Sequence, residues 1–152
     1  MIYSRTCLKL VSIICFTFMV MKLHAQDIQK HRWENRILIV TTTNETFEKL
    51  NLQLEVFKNN KDELHERKLL VYKIVENQFE FIDFIHSKVK DSGTISDGFR
   101  DKYLENYEGF KVILIGLDGS IKLEQYEILS IDNLLSTIDA MPMRRNEIRR
   151  NK

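Results

Sequence analysis

Hydrophobic positions fall in short blocks separated by polar stretches, and the spacing inside each block identifies the element it forms. Arg36-Ile37-Leu38-Ile39-Val40-Thr41-Thr42 is an unbroken apolar, β-branched run behind a charged lead, the pattern of a central strand buried on both faces. Asn44 is placed to cap a helix and Glu45 to favour its first turn, while Phe47, Leu50, Leu54 and Phe57 lay one apolar stripe against the sheet. Polar residues from Asn59 to Arg67 close that helix. Lys68-Leu69-Leu70-Val71-Tyr72-Lys73-Ile74-Val75 then supplies a second buried strand, which makes a right-handed β-α-β unit.

From Gln78 to Lys90 the period is ambiguous: Phe79 and Phe81 alternate as in a strand, while Phe81, Ile85 and Val89 also share a helical face. Ser96 caps a short helix through Phe99, Tyr103 and Leu104, and Gly109 ends the loop that follows. Phe110 to Ile115 and Ser120 to Tyr126 flank Asp118-Gly119, the strongest short hairpin signal a sequence carries. Ser130 caps a last helix whose Ile131, Leu134, Leu135 and Ile138 share one face. Pro142 halts it. All five glycines lie between Gly93 and Gly119, so the second half carries the turns.

This order predicts an α/β, thioredoxin-like domain: a β-α-β unit joined to a β-β-α unit around a mixed central sheet, with helices on both faces. A flavodoxin-like doubly wound sheet is the alternative. The hairpin argues against it, because parallel strands cannot be joined by two residues.

The first 25 residues change the composition. Arg5 and Lys9 precede an apolar run from Leu10 to Met21, and Leu23-His24-Ala25 offers a small residue before Gln26, the parts of a signal peptide. The run is shorter than the roughly 20 residues that cross a bilayer, which makes an uncleaved anchor the lesser reading. Cleavage after Ala25 leaves a single domain, residues 26–152, with no stable membrane span after processing and a periplasmic or secreted location. Both cysteines, Cys7 and Cys15, leave with the leader. Disulfides, thiol-disulfide exchange and thiol peroxidase chemistry all need a Cys, so none is expected of the processed chain. Removing Arg5, Lys9 and Lys22 from the 23 basic residues leaves 20 against 22 acidic ones. A nucleic-acid binder would be basic, and that class falls away.

Three blocks carry a resemblance that runs over nearly all of residues 26–152. Trp33-Glu34-Asn35-Arg36-Ile37-Leu38-Ile39-Val40, Leu114-Ile115-Gly116-Leu117-Asp118-Gly119-Ser120-Ile121-Lys122-Leu123, and the tail Ile138-Asp139-Ala140-Met141-Pro142-Met143-Arg144-Arg145-Asn146-Glu147-Ile148-Arg149 resemble the domain-of-unknown-function 4174 family. The resemblance implies an exported protein, similar in fold to thioredoxins and peroxiredoxins, with relatives inside extracellular sushi-repeat and matrix proteins. It implies no activity. The family's Gly-Lys-Asp-Gly turn reads Gly116-Leu117-Asp118-Gly119 here, while Lys122 matches the family's later lysine.

Candidate chemistry is sparse. In thioredoxin-like folds reactions take place beyond the first strand, a position that reads Thr41-Thr42-Thr43-Asn44 here. Free backbone N–H groups and hydroxyls at a helix start can hold an anion there, against the plainer reading of a capped helix. Glu108-Gly109-Phe110 lacks the proline that a thioredoxin site carries before its third strand. Arg36 and Lys122 are further candidates for an anionic ligand, and Trp33 is a candidate for stacking on a partner or for packing at the sheet edge. Arg144, Arg145 and Arg149 form a basic tail, either partner-binding or solvated around docked Met141, Met143 and Ile148. His31, His65 and His86 lack metal-ligand spacing, and no nucleophile elbow or Walker loop appears. No metal and no cofactor are expected.

Two functions follow as expectations. One is a cysteine-free domain that binds a protein or an envelope component without catalysis. The other is a non-thiol enzyme or small-anion binder that uses Thr41 to Asn44 as a cradle, with Arg36 or Lys122 as an electrophilic group.

Overall fold

The strand read as central, β1 (Arg36–Thr42), is buried at all seven positions. Around it a computed structural model describes residues 28–43, 47–104 and 109–150. The remaining strands are β2 (Leu69–Val75), β3 (Gln78–Asp83), β4 (Lys88–Thr94), β5 (Phe110–Ile115) and β6 (Ile121–Gln125). The helices are α1 (Phe47–Asn59), α2 (Lys61–Glu66), α3 (Asp97–Tyr103), α4 (Ile131–Asp139) and α5 (Pro142–Arg150).

Among the described residues these strands form one mixed sheet in the order β4-β3-β2-β1-β5-β6. β1 runs parallel to β2 and antiparallel to β5, pairing Arg36 with Leu69 and Thr42 with Phe110. β1 and β2 make the expected β-α-β half, and β5 and β6, with α4, the β-β-α half. β3 and β4 extend the sheet past β2 as an antiparallel meander.

Alternation along β1 sends side chains to two cores. Leu38 and Val40 meet Leu50 and Phe57 of α1, Leu64 of α2, and Leu134 and Ile138 of α4. Ile37 and Ile39 face the other side, with Tyr72, Phe79 and the α3 residues Phe99 and Tyr103. Helices therefore cover both faces. Ser96 accepts from Phe99 N at 3.2 Å and Ser130 from Asn133 N at 3.3 Å, the expected caps. Asn44, read as the cap of α1, lies outside the described residues.

Several sequence expectations need correction. Asn59 to Arg67 is not merely the polar close of α1. Lys61–Glu66 forms a helix of its own, anchored by buried Leu64. The ambiguous stretch resolves as β3 followed by β4; β4 has five exposed positions among its seven residues and so carries no hydrophobic signal. The hairpin is longer than two residues. Gly116 N donates to Ser120 O at 2.9 Å and Gly119 N to Gly116 O at 3.0 Å, with Gly119 at φ 78°, so residues 116–120 make the turn. Pro142 both follows α4 and opens α5, as suits a residue with no N–H to satisfy.

Candidate functional site

The two ends of β1 present different chemistry. At its carboxyl end Thr41 and Thr42 are buried, 2% and 1% exposed. Thr42 Oγ1 donates to Thr43 O at 2.7 Å, Thr43 N to Gly109 O at 3.0 Å, and Glu76 N to Thr42 O at 3.3 Å. The strand end is thus tied into the turns after β2 and before β5. No cysteine occurs after Cys15 in the sequence.

At the amino end stands a buried ionic cluster. Arg36, fully buried, donates from Nη1 to Arg67 O at 2.9 Å and from Nη2 to Glu147 Oε2 at 3.2 Å. Arg67 holds Asp139 with two hydrogen bonds, Nε at 3.0 Å and Nη2 at 2.7 Å, the bidentate geometry that guanidinium and carboxylate favour. Arg144, 4% exposed, bridges Glu66, Asp139 and Glu147. The hydrogen bond from Arg67, with a second from Arg144, holds the Asp139 carboxyl below its usual range against the opposing effect of burial. The three arginines pin the start of β1, the α2–β2 junction and α5 together. The solvated-arginine reading therefore fails for Arg144: its guanidinium is consumed inside the fold and is not available to a partner. Arg145 and Arg149 are exposed, and Arg149 donates to the Asn146 side chain.

Beside this cluster Arg36 and Lys122 line one cavity of about 170 Å³, together with Leu117, Asp118, Met141, Pro142 and Met143. Lys122 Nζ meets Asp118 Oδ2 at 2.8 Å. That hydrogen bond, with others from Ser120, lowers the Asp118 carboxyl to about 2. Gly116 makes the arrangement sterically possible, because a Cβ there would stand 2.5 Å from Lys122 Cε.

The structure thus brings Arg36 and Lys122 together and separates both from Thr41, Thr42 and Thr43. Arg36 and Thr42 open and close β1, and six residues of strand span roughly 20 Å. A single small substrate cannot touch the threonines and either cation, which removes the combined cradle and electrophile expected from the sequence.

Trp33 does not pack at the sheet edge. Its side chain is 59% exposed at a backbone φ of 69°, its N donates to Leu117 O at 2.8 Å, and the Arg32 guanidinium lies 5.2 Å from its ring centroid. It borders an open groove of about 800 Å³ that includes His65, Lys68, Leu70 and Lys90. His86 Nδ1 and Asp83 Oδ2 are 2.7 Å apart, with Lys90 Nζ 3.0 Å from the same oxygen. Among the described residues no group of three or more His, Cys, Asp or Glu side chains could hold a metal ion, and no helix is long and apolar enough to cross a membrane.

A mixed sheet of β-α-β and β-β-α halves, covered by helices on both faces, defines a thioredoxin-like domain. Residues 27–147 match the family described as Domain of unknown function (DUF4174), and the chain belongs to that family. Among solved structures the chain is similar to reduced 2-Cys peroxiredoxin of Plasmodium vivax, with a TM-score of 0.53 and 14% identity, over 80% of this chain and 84% of that one. It is also similar to Trgpx in its apo form, with a TM-score of 0.44 and 15% identity, over 74% of this chain and 83% of that one. No curated protein matches this chain. At 14% identity the peroxiredoxin likeness shows the fold alone.

Proposed function

We propose that this protein is an exported, cysteine-free thioredoxin-like domain that acts by binding a protein or an envelope component, in the periplasm or outside the cell, and not by catalysis. The observation that carries this reading is the content of the redox position: the carboxyl end of β1 holds Thr41, Thr42 and Thr43, and both cysteines, Cys7 and Cys15, precede the processed chain. Without a thiolate the chemistry of thiol-dependent relatives has no nucleophile. Export is supported by Arg5 and Lys9 before the apolar run from Leu10 to Met21, and by Ala25 at the expected cleavage point.

Binding is supported by the opposite end of β1. There exposed Trp33, exposed Arg145 and Arg149, and the cavity lined by Arg36 and Lys122 offer apolar and cationic surface on a framework tied together by partly buried ion pairs. The test is crosslinking of the protein in the compartment to which it is exported, followed by identification of what it captures. Specific capture that weakens with Trp33→Ala supports the reading. Turnover of a substrate with no captured partner overturns it.

A further inference from the structure

Trp33 is the single tryptophan of the chain and stands 59% exposed on a left-handed backbone, φ 69°. That conformation is unfavourable for a bulky side chain, so the fold carries an exposed indole at a conformational cost and gains little burial in return. Hydrogen bonds fix the turn around it: Trp33 N donates to Leu117 O at 2.8 Å, and Glu34 N and Asn35 N both donate to His31 O, at 3.1 and 2.9 Å. The Arg32 guanidinium lies over one face of the ring, which leaves the opposite face for a ligand.

The open groove that Trp33 borders, about 800 Å³, falls within the roughly 300–1,000 Å³ of small-molecule sites. Most of its remaining lining is polar: Glu34, Asn35, His65, Glu66, Lys68 and Lys90. All but Asn35 are exposed. Formal charge cancels in this lining, two carboxylates against two ammonium groups, so the groove favours neither an anion nor a cation. Glu66 is engaged with Arg67 and Arg144, and Lys90 with Asp83. Glu34 and Lys68 are in no ion pair among the described residues. The ligand that fits has an apolar face for the indole and a rim of hydroxyls, which donate to a carboxylate and accept from an ammonium. A pyranose ring has both, its axial C–H groups forming the face and its equatorial hydroxyls the rim. A peptide would need a pocket for an apolar side chain, and the other apolar lining, Leu69 and Leu70, is buried or half-buried.

We propose that this groove binds a neutral oligosaccharide, with one pyranose ring stacked on Trp33 and its hydroxyls held by Glu34 and Lys68. This inference rests on the reading that the protein binds an envelope component, and it names the chemistry of that component.

The experiment is a titration of the processed protein, purified from cells that express the full chain, followed by calorimetry and by the emission of its single tryptophan. The neutral probes are cellotriose, maltotriose and triacetylchitotriose; trigalacturonate and the peptide N-acetyl-Ala-Leu-Ala-amide are the contrasts. At least one neutral trisaccharide is expected to bind saturably and shift the Trp33 emission to the blue, with both contrasts weaker by about fivefold or more. Trp33→Gly relieves the left-handed backbone and should keep the thermal midpoint while weakening calorimetric binding about tenfold or more. Glu34→Ala, which leaves the indole in place, should weaken binding about fivefold. Preference for trigalacturonate or the peptide overturns the proposal, as does unchanged binding in either variant or no saturation by any neutral trisaccharide. If the titration fails while crosslinking still captures a protein, only the saccharide assignment falls; if nothing is captured, the binding function itself falls.

Discussion

Arg36 Nη2 donates to Glu147 Oε2 at 3.2 Å, a contact between residues 111 positions apart that ties the first residue of the central strand to α5. Arg36 is fully buried and Glu147 only partly so. Removing the carboxylate strands a buried cation, whereas replacing both partners by apolar groups does not. Glu147→Ala should therefore destabilise the domain by about 3 kcal/mol in urea denaturation, and Arg36→Met combined with Glu147→Leu should recover most of that loss. A Glu147→Ala protein as stable as wild type would mean that this contact does not hold α5 in place.

Gln53 is a buried polar residue in α1 whose side chain satisfies both backbone groups of Leu129. Its Nε2 donates to Leu129 O at 3.0 Å, and Leu129 N donates to its Oε1 at 2.6 Å. Gln53→Leu keeps the bulk but leaves a buried N–H and C=O unpaired. The expected cost is about 3 kcal/mol, with amide exchange at Leu129 faster than in the wild-type protein.

Two glycines in the β5–β6 turn should respond differently to alanine. Gly119 sits at φ 78°, where a Cβ would meet nothing closer than 3.6 Å, so Gly119→Ala should cost about 1 kcal/mol in backbone strain alone. At Gly116 the new Cβ collides with the flexible end of Lys122, which can swing away. Gly116→Ala should leave stability nearly unchanged but release Asp118, whose carboxyl should climb from about 2 toward its ordinary 3.8. Carbon-detected NMR of the Asp118 carboxyl reads this directly.

Acid should loosen the same end of the fold. Asp118 and Asp139 both have their folded-state pKa lowered from the ordinary 3.8. The stability they contribute is present above that value and is lost as pH falls through the folded values. The thermal midpoint should drop between about pH 4 and pH 2, and Asp139→Asn should make that fall shallower. An unchanged slope in the variant would show that Asp139 titrates alike in the folded and unfolded chain.

The fold was readable where burial leaves a periodic trace. β1 and β5 are buried at every position and stand out as apolar runs, while Ser96 and Ser130 announce their helices by cap chemistry. β4 was not readable, because an edge strand of sequence Lys88-Val89-Lys90-Asp91-Ser92-Gly93-Thr94 takes its form from pairing with β3, a contact that hydrophobic pattern does not record. α2 was hidden for a similar reason: of its residues only Leu64 is buried.

The candidate site was half legible. Residue type alone singled out Arg36 and Lys122, yet their meeting depends on the antiparallel pairing of β1 with β5, which places the 116–120 turn beside the start of β1. The partners of Arg144 lie 78 residues away at Glu66, and five and three away at Asp139 and Glu147. In sequence this arginine reads like its exposed neighbours. The local hints that the tail folds inward are the proline that begins α5 and the apolar Met141, Met143 and Ile148 around the arginines.

The central claim is that a thioredoxin-like scaffold operates here without a thiol, and the most direct test is the redox activity of the processed protein, its amino terminus first fixed by mass spectrometry. With an amino terminus at Gln26, insulin reduction and peroxide consumption should both stay at the rate of buffer alone. Turnover above that rate, abolished by a substitution within residues 26–152, would contradict the account.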